Sequence, residues 1–311
     1  MHGDLLLYLE GKQFNMKKNR IALISNVLLL LTAIIWGFAF VAQSVGMNYV
    51  GPWTFVFSRF IIAAILLLPL SAFSEKNYRA SLPEVVDEKH YKTEALLGGA
   101  GCGLCLGAAS ITQQIGMQTT TPGKAGFITA CYVVIVPVLG IFIGKKPKKT
   151  IWLSVVLALI GLYLISMHGG MTIERGDAMV SLCALLFSFQ IISVDYFSEK
   201  VNPIRLSNIQ FFFASIVGLI GMILFERPDM AGILGAMPSI LYAGVLSSAV
   251  GYTLQVLAQK NTDPTIASLL MSLESVFSVV GGFLILHQML SMQELVGCVI
   301  VFAAVIIAQL V

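Results

Sequence analysis

The chain has 311 residues, 57% of them apolar and only 11% charged, with a mean hydropathy of +0.88 and a net charge of +3. Soluble domains carry about 25% charged residues, so this composition cannot clothe a water-soluble surface. The small positive excess is gathered in short loops, which excludes a nucleic-acid partner and leaves an all-α integral membrane protein in a lipid bilayer.

Residues 1–15 lack the apolar core and small-residue cleavage site of a secretory signal. Met16-Lys17-Lys18-Asn19-Arg20 resembles a natural start, so residues 1–20 read as a cytoplasmic tail or, over the first fifteen, an extended reading frame. Hydrophobic stretches near the roughly 20 residues that cross a bilayer then follow at 21–45, 52–73, 94–118, 122–143, 150–167, 177–197, 203–225, 236–259, 264–286 and 292–310. Ten spans with the amino terminus inside place fifteen of the nineteen Lys and Arg on the cytoplasmic side: those of the tail, the 74–93 loop and the Lys145–Lys149 segment, with Lys200, Arg205 and Lys260. Lys124, Arg175 and Arg227 fall outside, and Arg59 lies within a span. Cytoplasmic loops are the cationic ones, so both termini are expected in the cytoplasm.

Polar residues inside spans need an explanation, because hydrocarbon penalises them. On span one Trp36 and Gln43 are candidates for the wall of a binding site. Arg59 sits seven residues into span two, roughly 10 Å below its outer end. It either snorkels to the interface or pairs with an anion in a cavity or with Glu274. Span three carries Gly99, Gly103 and Gly107 at the four-residue spacing that permits close helix approach. Cys102 and Cys105 form a C-x-x-C there, but in an apolar helix they read as small packing residues rather than redox or metal ligands. All five cysteines lie in spans; neither disulfides, a metal nor a cofactor is expected.

Pro52, Pro122, Pro203 and Pro264 stand at span starts as first-turn signals, whereas Pro137, inside span four, predicts a kink. Phe187 and Gln190 on span six are further wall candidates, and Asp195 is expected at the interface. Glu274, near the middle of span nine, is the foremost candidate, since a charged acid there costs about 2.5–3.5 kcal/mol on insertion scales. It either fixes helix packing through a hydrogen bond, titrates during transport, or contacts a cationic group of a substrate. Spans five and ten are plain and apolar, suited to packing or to homodimer contact.

The second half repeats the first. A shift of 142 residues lays Gln113 on Gln255, Pro122 on Pro264, Ala125 on Ala267 and Gly140 on Gly282. Upstream, a shift of 151 lays Pro52 on Pro203, Phe60 on Phe211 and Ala63 on Ala214. The stripe Cys105, Ala109 and Gln113 thereby falls on Ser247, Gly251 and Gln255, an amide below small residues in both copies. Amides donate and accept without charge, which suits polar metabolites in a dry cavity. Tyr132 falls on Glu274, so the symmetry is broken there. The cationic segment Lys145–Lys149 falls on His287–Ser291, which has no Lys or Arg. Five spans per copy is an odd number, and the charge changes sides accordingly. This is the mark of an inverted-repeat transporter, with copies at 21–170 and 176–311.

Several runs carry a resemblance: Trp36-Gly37-Phe38-Ala39-Phe40-Val41-Ala42-Gln43, Ser58-Arg59-Phe60, Thr121-Pro122-Gly123-Lys124-Ala125-Gly126-Phe127-Ile128-Thr129, Gly176-Asp177 and Ser272-Leu273-Glu274-Ser275-Val276-Phe277. In order and spacing the set is similar to bacterial EamA transporters of the drug/metabolite transporter superfamily, from about residue 21 onward. The resemblance implies ten helices in two inverted five-helix repeats around a central cavity, alternating access, and usually export of amino acids, other small metabolites or drugs. Two departures stand out. Family members often have Pro where this chain has Ser275, and Gly-Glu where it has His287-Gln288. The second removes an acid near the membrane edge.

Taken together these features predict a secondary transporter of the bacterial cytoplasmic membrane that exports a small-molecule substrate, with proton coupling through Glu274 as one mode and uncoupled facilitated diffusion as the alternative. An intramembrane enzyme is the weaker rival: no H-E-x-x-H or G-x-S-x-G run is present, and His90, His168 and His287 lie in or beside loops. A scaffold or receptor would need a sensor domain that these spans do not supply.

Overall fold

The computed structural model describes residues 2–81, 87–120, 122–166, 175–287 and 289–310, with side chains from residue 19 onward except at 122 and 286. Thr121, His168, Gln288 and the joint between the copies at 171–174 lie outside these residues, as do the side chains of Lys12, Lys17 and Lys18. Among the described residues the chain is helical, without a strand, and ten stretches are long and apolar enough to cross a membrane. Spans one to three are α1 (His2–Gly46), α2 (Pro52–Ala80) and α3 (Glu88–Gly116). Span four is broken into α4 (Pro122–Ala130) and α5 (Tyr132–Phe142), and span five is α6 (Lys149–Ser166). Spans six and seven are α7 (Arg175–Ser198) and α8 (Pro203–Phe225). Span eight runs through α9 (Met230–Leu241), a π-helical segment (Tyr242–Tyr252) and α10 (Thr253–Gln259). Span nine is α11 (Pro264–Met271) and α12 (Glu274–Leu286), and span ten is α13 (Met292–Gln309).

Burial is inverted relative to a soluble protein. Leu68, Leu97 and Ile223 are more than 60% exposed, whereas Gln190 and Gln255 are fully buried. The outward leucines and isoleucines suit hydrocarbon, and the polar side chains are turned toward the middle of the bundle.

Three local expectations are corrected. The 74–93 segment is mostly helix, because α2 continues to Ala80 and α3 begins at Glu88. Ion pairs one turn apart hold these charged extensions, Glu75 with Arg79 at 2.7 Å and Glu88 with Lys92 at 2.7 Å, and Asp87 caps α3 by accepting from the Lys89 N–H at 2.9 Å. Pro137 lies inside α5, and the break of span four falls earlier, at Cys131. The third correction is the π segment of span eight, where a regular α-helix was expected.

The break of span four recurs in span nine at Leu273, 142 residues on. No proline marks the second break. Instead Ser268, Ser272 and Ser278 donate back to carbonyls three residues earlier at 2.7–2.8 Å, and Ser275 donates to the carbonyl of Gly126 at 3.0 Å. Such back-bonding bends helices, so the serines stand in for a helix breaker.

Packing follows the sequence repeat. Equivalent spans lie against each other, α2 on α8 and α6 on α13. Span three packs on span six as span eight packs on span one, and span one packs on span nine as span six packs on span four. Equivalent residues also touch: the rings of Phe60 and Phe211 stack with centroids 6.2 Å apart and planes 14° apart, and Tyr132 donates to Glu274 at 3.0 Å.

Glycines set the closest approaches. A methyl on Gly103 would stand 2.5 Å from the Gln210 carbonyl oxygen, and one on Gly107 would stand 3.1 Å from the Ala214 Cα, so this stripe seats α3 on α8. Spans five and ten pack on each other backbone to backbone: a methyl on Gly161 would lie 2.7 Å from the Gly297 carbonyl oxygen, and one on Gly297 would lie 2.6 Å from that of Gly161. Ion pairs keep to the span ends. Lys124 meets Asp177 at 2.6 Å at one end, and Lys145 meets Asp195 at 2.6 Å at the other.

Candidate functional site

A narrow cavity lies where spans one, two, three, four, six, eight and nine converge, with room of about 30 Å³ for the centres of water-sized molecules. Of the residues singled out from the sequence, Trp36, Gln43, Arg59, Gln113, Tyr132, Gln190, Ser247, Gln255 and Glu274 line it, whereas Cys105 and Ala109 of the span-three stripe do not. Phe187 lines it as well. Gly251 also lies off the wall, behind Trp36, where an added methyl would stand 2.7 Å from the indole Nε1.

Arg59 is 2% exposed, so its guanidinium does not snorkel to an interface. It donates from Nε to Ser248 Oγ at 3.0 Å, from Nη1 to Gln43 Oε1 at 3.0 Å and from Nη2 to Ser247 Oγ at 2.8 Å. Nor does it pair with Glu274. The two serines come from the π segment, whose wider winding presents both to span two. Widened turns free carbonyls from the usual helical ladder, and span one supplies partners here: Trp36 Nε1 donates to the Ser247 carbonyl at 3.1 Å and Thr32 Oγ1 to that of Gly251 at 3.3 Å.

Glu274 is 3% exposed and opens α12 at the break of span nine, as Tyr132 opens α5 at the break of span four. The breaks thus place two side chains equivalent under the 142-residue shift head to head, hydroxyl to carboxyl. A carboxylate at a helix start is favoured by the peptide dipoles. Gly37 supplies the room: a methyl there would stand 2.8 Å from the Glu274 carbonyl oxygen and 2.7 Å from the Phe277 backbone carbon.

The opposite wall is a chain of neutral amides. Gln255 Nε2 donates to Gln190 Oε1 at 3.2 Å, and Gln190 Nε2 donates to Gln210 Oε1 at 3.3 Å. Buried Gln255 Oε1 is left with no donor and Gln210 Nε2 with no acceptor. Gln113 Nε2 donates to Thr129 Oγ1 at 3.1 Å. Tyr252 closes the cavity, its ring tilted against Trp36 with centroids 4.5 Å apart.

Sequence reasoning passed over Ser248, Gln210, Thr129 and Tyr252. Gln210 was within reach, because the 151-residue shift that aligns Phe60 with Phe211 also lays Arg59 on Gln210. Thr129 stands three residues before Tyr132, on the same helical side. Tyr252 stands five residues after Ser247, a spacing that shares a face only in a π-helix.

Fold and cavity together define a multi-pass α-helical membrane protein with a buried polar chamber among its spans. The EamA-like transporter family matches residues 23–167 and again 174–309, and the chain belongs to that family. An uncharacterized transporter of Archaeoglobus fulgidus is 27% identical over 289 residues, covering 91% of this chain and 84% of its own. The uncharacterized transporter YoaV of Bacillus subtilis is 22% identical, covering 88% and 92%. A crystal structure with 14% identity matches with a TM-score of 0.73 over 92% of this chain and 96% of that one, a likeness of fold. The chain is a membrane transporter.

Proposed function

We propose that this transporter is a secondary carrier of the bacterial cytoplasmic membrane, with both termini in the cytoplasm, that exports small polar or amphipathic metabolites by alternating access. The observation that carries the reading is the contact of equivalent residues, Tyr132 on Glu274 in the cavity wall and Phe60 on Phe211 behind Tyr252. A binding chamber on the pseudo-axis of two inverted halves, 21–170 and 176–311, is flanked by the same helices whichever half moves. Exchanging the conformations of the halves then opens it to the other side. The export direction rests on the family resemblance.

Glu274 is the acid placed for coupling. Its hydrogen-bond partner is the phenol of Tyr132 and not a cation, so the carboxyl can gain or release a proton without breaking an ion pair. Gln113, Gln190 and Gln255 supply uncharged contacts to a polar solute, and Trp36 with Phe187 and Tyr252 supplies apolar walls.

Current on a solid-supported membrane bearing reconstituted protein tests this reading, with pools of amino acids, nucleosides and cationic drugs and with Glu274→Gln run in parallel. The expected result is a saturable current from one pool that Glu274→Gln lowers by about tenfold or more. A wild-type rate and pH dependence in folded Glu274→Gln protein would remove Glu274 from the mechanism.

A further inference from the structure

Glu75 and Glu226 fall on each other under the 151-residue shift that aligns Pro52 with Pro203, one near the far end of α2 and the other just past α8. Each meets the first turn of the other helix. Glu226 accepts from the Trp53 N–H at 2.9 Å, the Thr54 N–H at 2.8 Å and Thr54 Oγ1 at 2.6 Å. Glu75 Oε1 pairs with Arg205 Nη1 at 3.2 Å, and Arg205 is the residue that the same shift lays on Thr54. Tyr91 adds to this second tie, its hydroxyl donating to Glu75 Oε2 at 3.0 Å and accepting from the Asn202 N–H at 3.2 Å. From Thr54 to Glu75 is about 30 Å along α2, so the two ties stand at opposite faces of a bilayer core of that thickness. Between them the stacked rings of Phe60 and Phe211 join the same two helices.

The ties are unequal. α2 starts after Gly51, which has no side chain to cap it, so Glu226 supplies the acceptor for its first N–H groups. α8 has a cap of its own, because Asn202 Oδ1 accepts from the Ile204 N–H at 3.0 Å, the equivalent of the Trp53 N–H. Releasing Glu226 strands two backbone donors, whereas releasing Glu75 separates side chains. The Glu226 tie is therefore the harder to open.

We propose that Glu226 and Glu75 are paired latches of the transport cycle: Glu226 holds the outer ends of α2 and α8 together, Glu75 holds the cytoplasmic ends, and each access state keeps one and releases the other. This rests on the alternating-access reading and on the cytoplasmic termini proposed above, and adds the residues that set which face is closed. α2 belongs to the first half and α8 to the second. A rocking tilt of about 10° between them around their middle parts ends about 15 Å away by roughly 3 Å, which breaks hydrogen bonds at the face that opens. The harder outer latch makes closure on the outside the resting state.

Sided labelling of a cavity reporter tests this without knowledge of the substrate. Ala39→Cys places a thiol in the cavity wall, and a membrane-impermeant maleimide is offered from outside in intact cells and from the cytoplasmic side in inverted vesicles. Labelling of the same chain without the reporter is subtracted. Glu226→Ala is expected to raise the rate from outside about tenfold without raising the rate from the cytoplasmic side, and Glu75→Ala to do the reverse. Gly51→Ala is the second probe of the outer latch. Its backbone, at φ −73° and ψ 167°, accepts alanine, but the added methyl would overlap the Glu226 carboxylate and displace it with the charge intact. It should match Glu226→Ala. An equal rise from both faces in these variants would mean general loosening and overturn the inference. If the reporter is reached from both faces at rates that no latch variant alters, the inference falls while alternating access stands. If it is reached from neither face in any variant, both fall.

Discussion

At the scale of single residues, two positions show how backbone demands shape the site's surroundings. His287 ends α12 in the left-handed region at φ 54°, the one non-glycine among the described residues with positive φ. Its N–H reaches the Gly282 carbonyl as a C-terminal cap. Glycine occupies such positions without a side-chain penalty. His287→Gly is therefore expected to stabilise the protein by about 0.5–1 kcal/mol, read as a higher midpoint of thermal unfolding in detergent with transport unchanged. An equal or lower midpoint would show that the imidazole compensates. Arg59 and Glu274 were legible in the sequence because hydrocarbon makes any charge inside a span conspicuous. What each one touches was not. The choice between snorkelling, pairing and cavity lining depends on Gln43, Ser247 and Ser248, whose own placement is set by the winding of span eight.

Among the elements, span eight teaches most. The stripe Ser247, Gly251 and Gln255 assumed an α-helical period, and it places Ser247 and Gln255 on the cavity wall but not Gly251. The π segment Tyr242–Tyr252 shifts the phase, so the residue sharing a face with Ser247 is Tyr252, five positions on. No residue type announces a π-helix; the extra width is stabilised by donors from another span, Trp36 and Thr32, which a local pattern cannot reveal. The break of span nine was equally hidden, because serines rather than proline produce it. Spans five and ten were legible as apolar but not as partners of each other. Their backbones nearly touch at Gly161 and Gly297, so Gly161→Ile should force α6 and α13 apart at a cost of about 1–3 kcal/mol. Thermal unfolding in detergent checks this, and a midpoint unchanged from wild type would mean that the pair separates without loss.

For the whole molecule, the repeat read from the sequence, the contacts between equivalent spans and the cavity at their junction converge on one architecture. The count of spans, their order and the weak register of Gln113 with Gln255 were enough to anticipate the bundle. The head-to-head meeting of Tyr132 and Glu274 was not anticipated, since a shift that equates two residues does not say that they touch. The central claim is that solute crosses through this chamber. Filling it tests the claim most directly: Ala39 lines the cavity and is 2% exposed, and Ala39→Phe would project a ring into it. Solute counterflow in proteoliposomes should be saturable in wild-type protein and fall about a hundredfold in folded Ala39→Phe protein. Flux through folded Ala39→Phe protein at the wild-type rate would contradict the account, because the solute would then be taking another path.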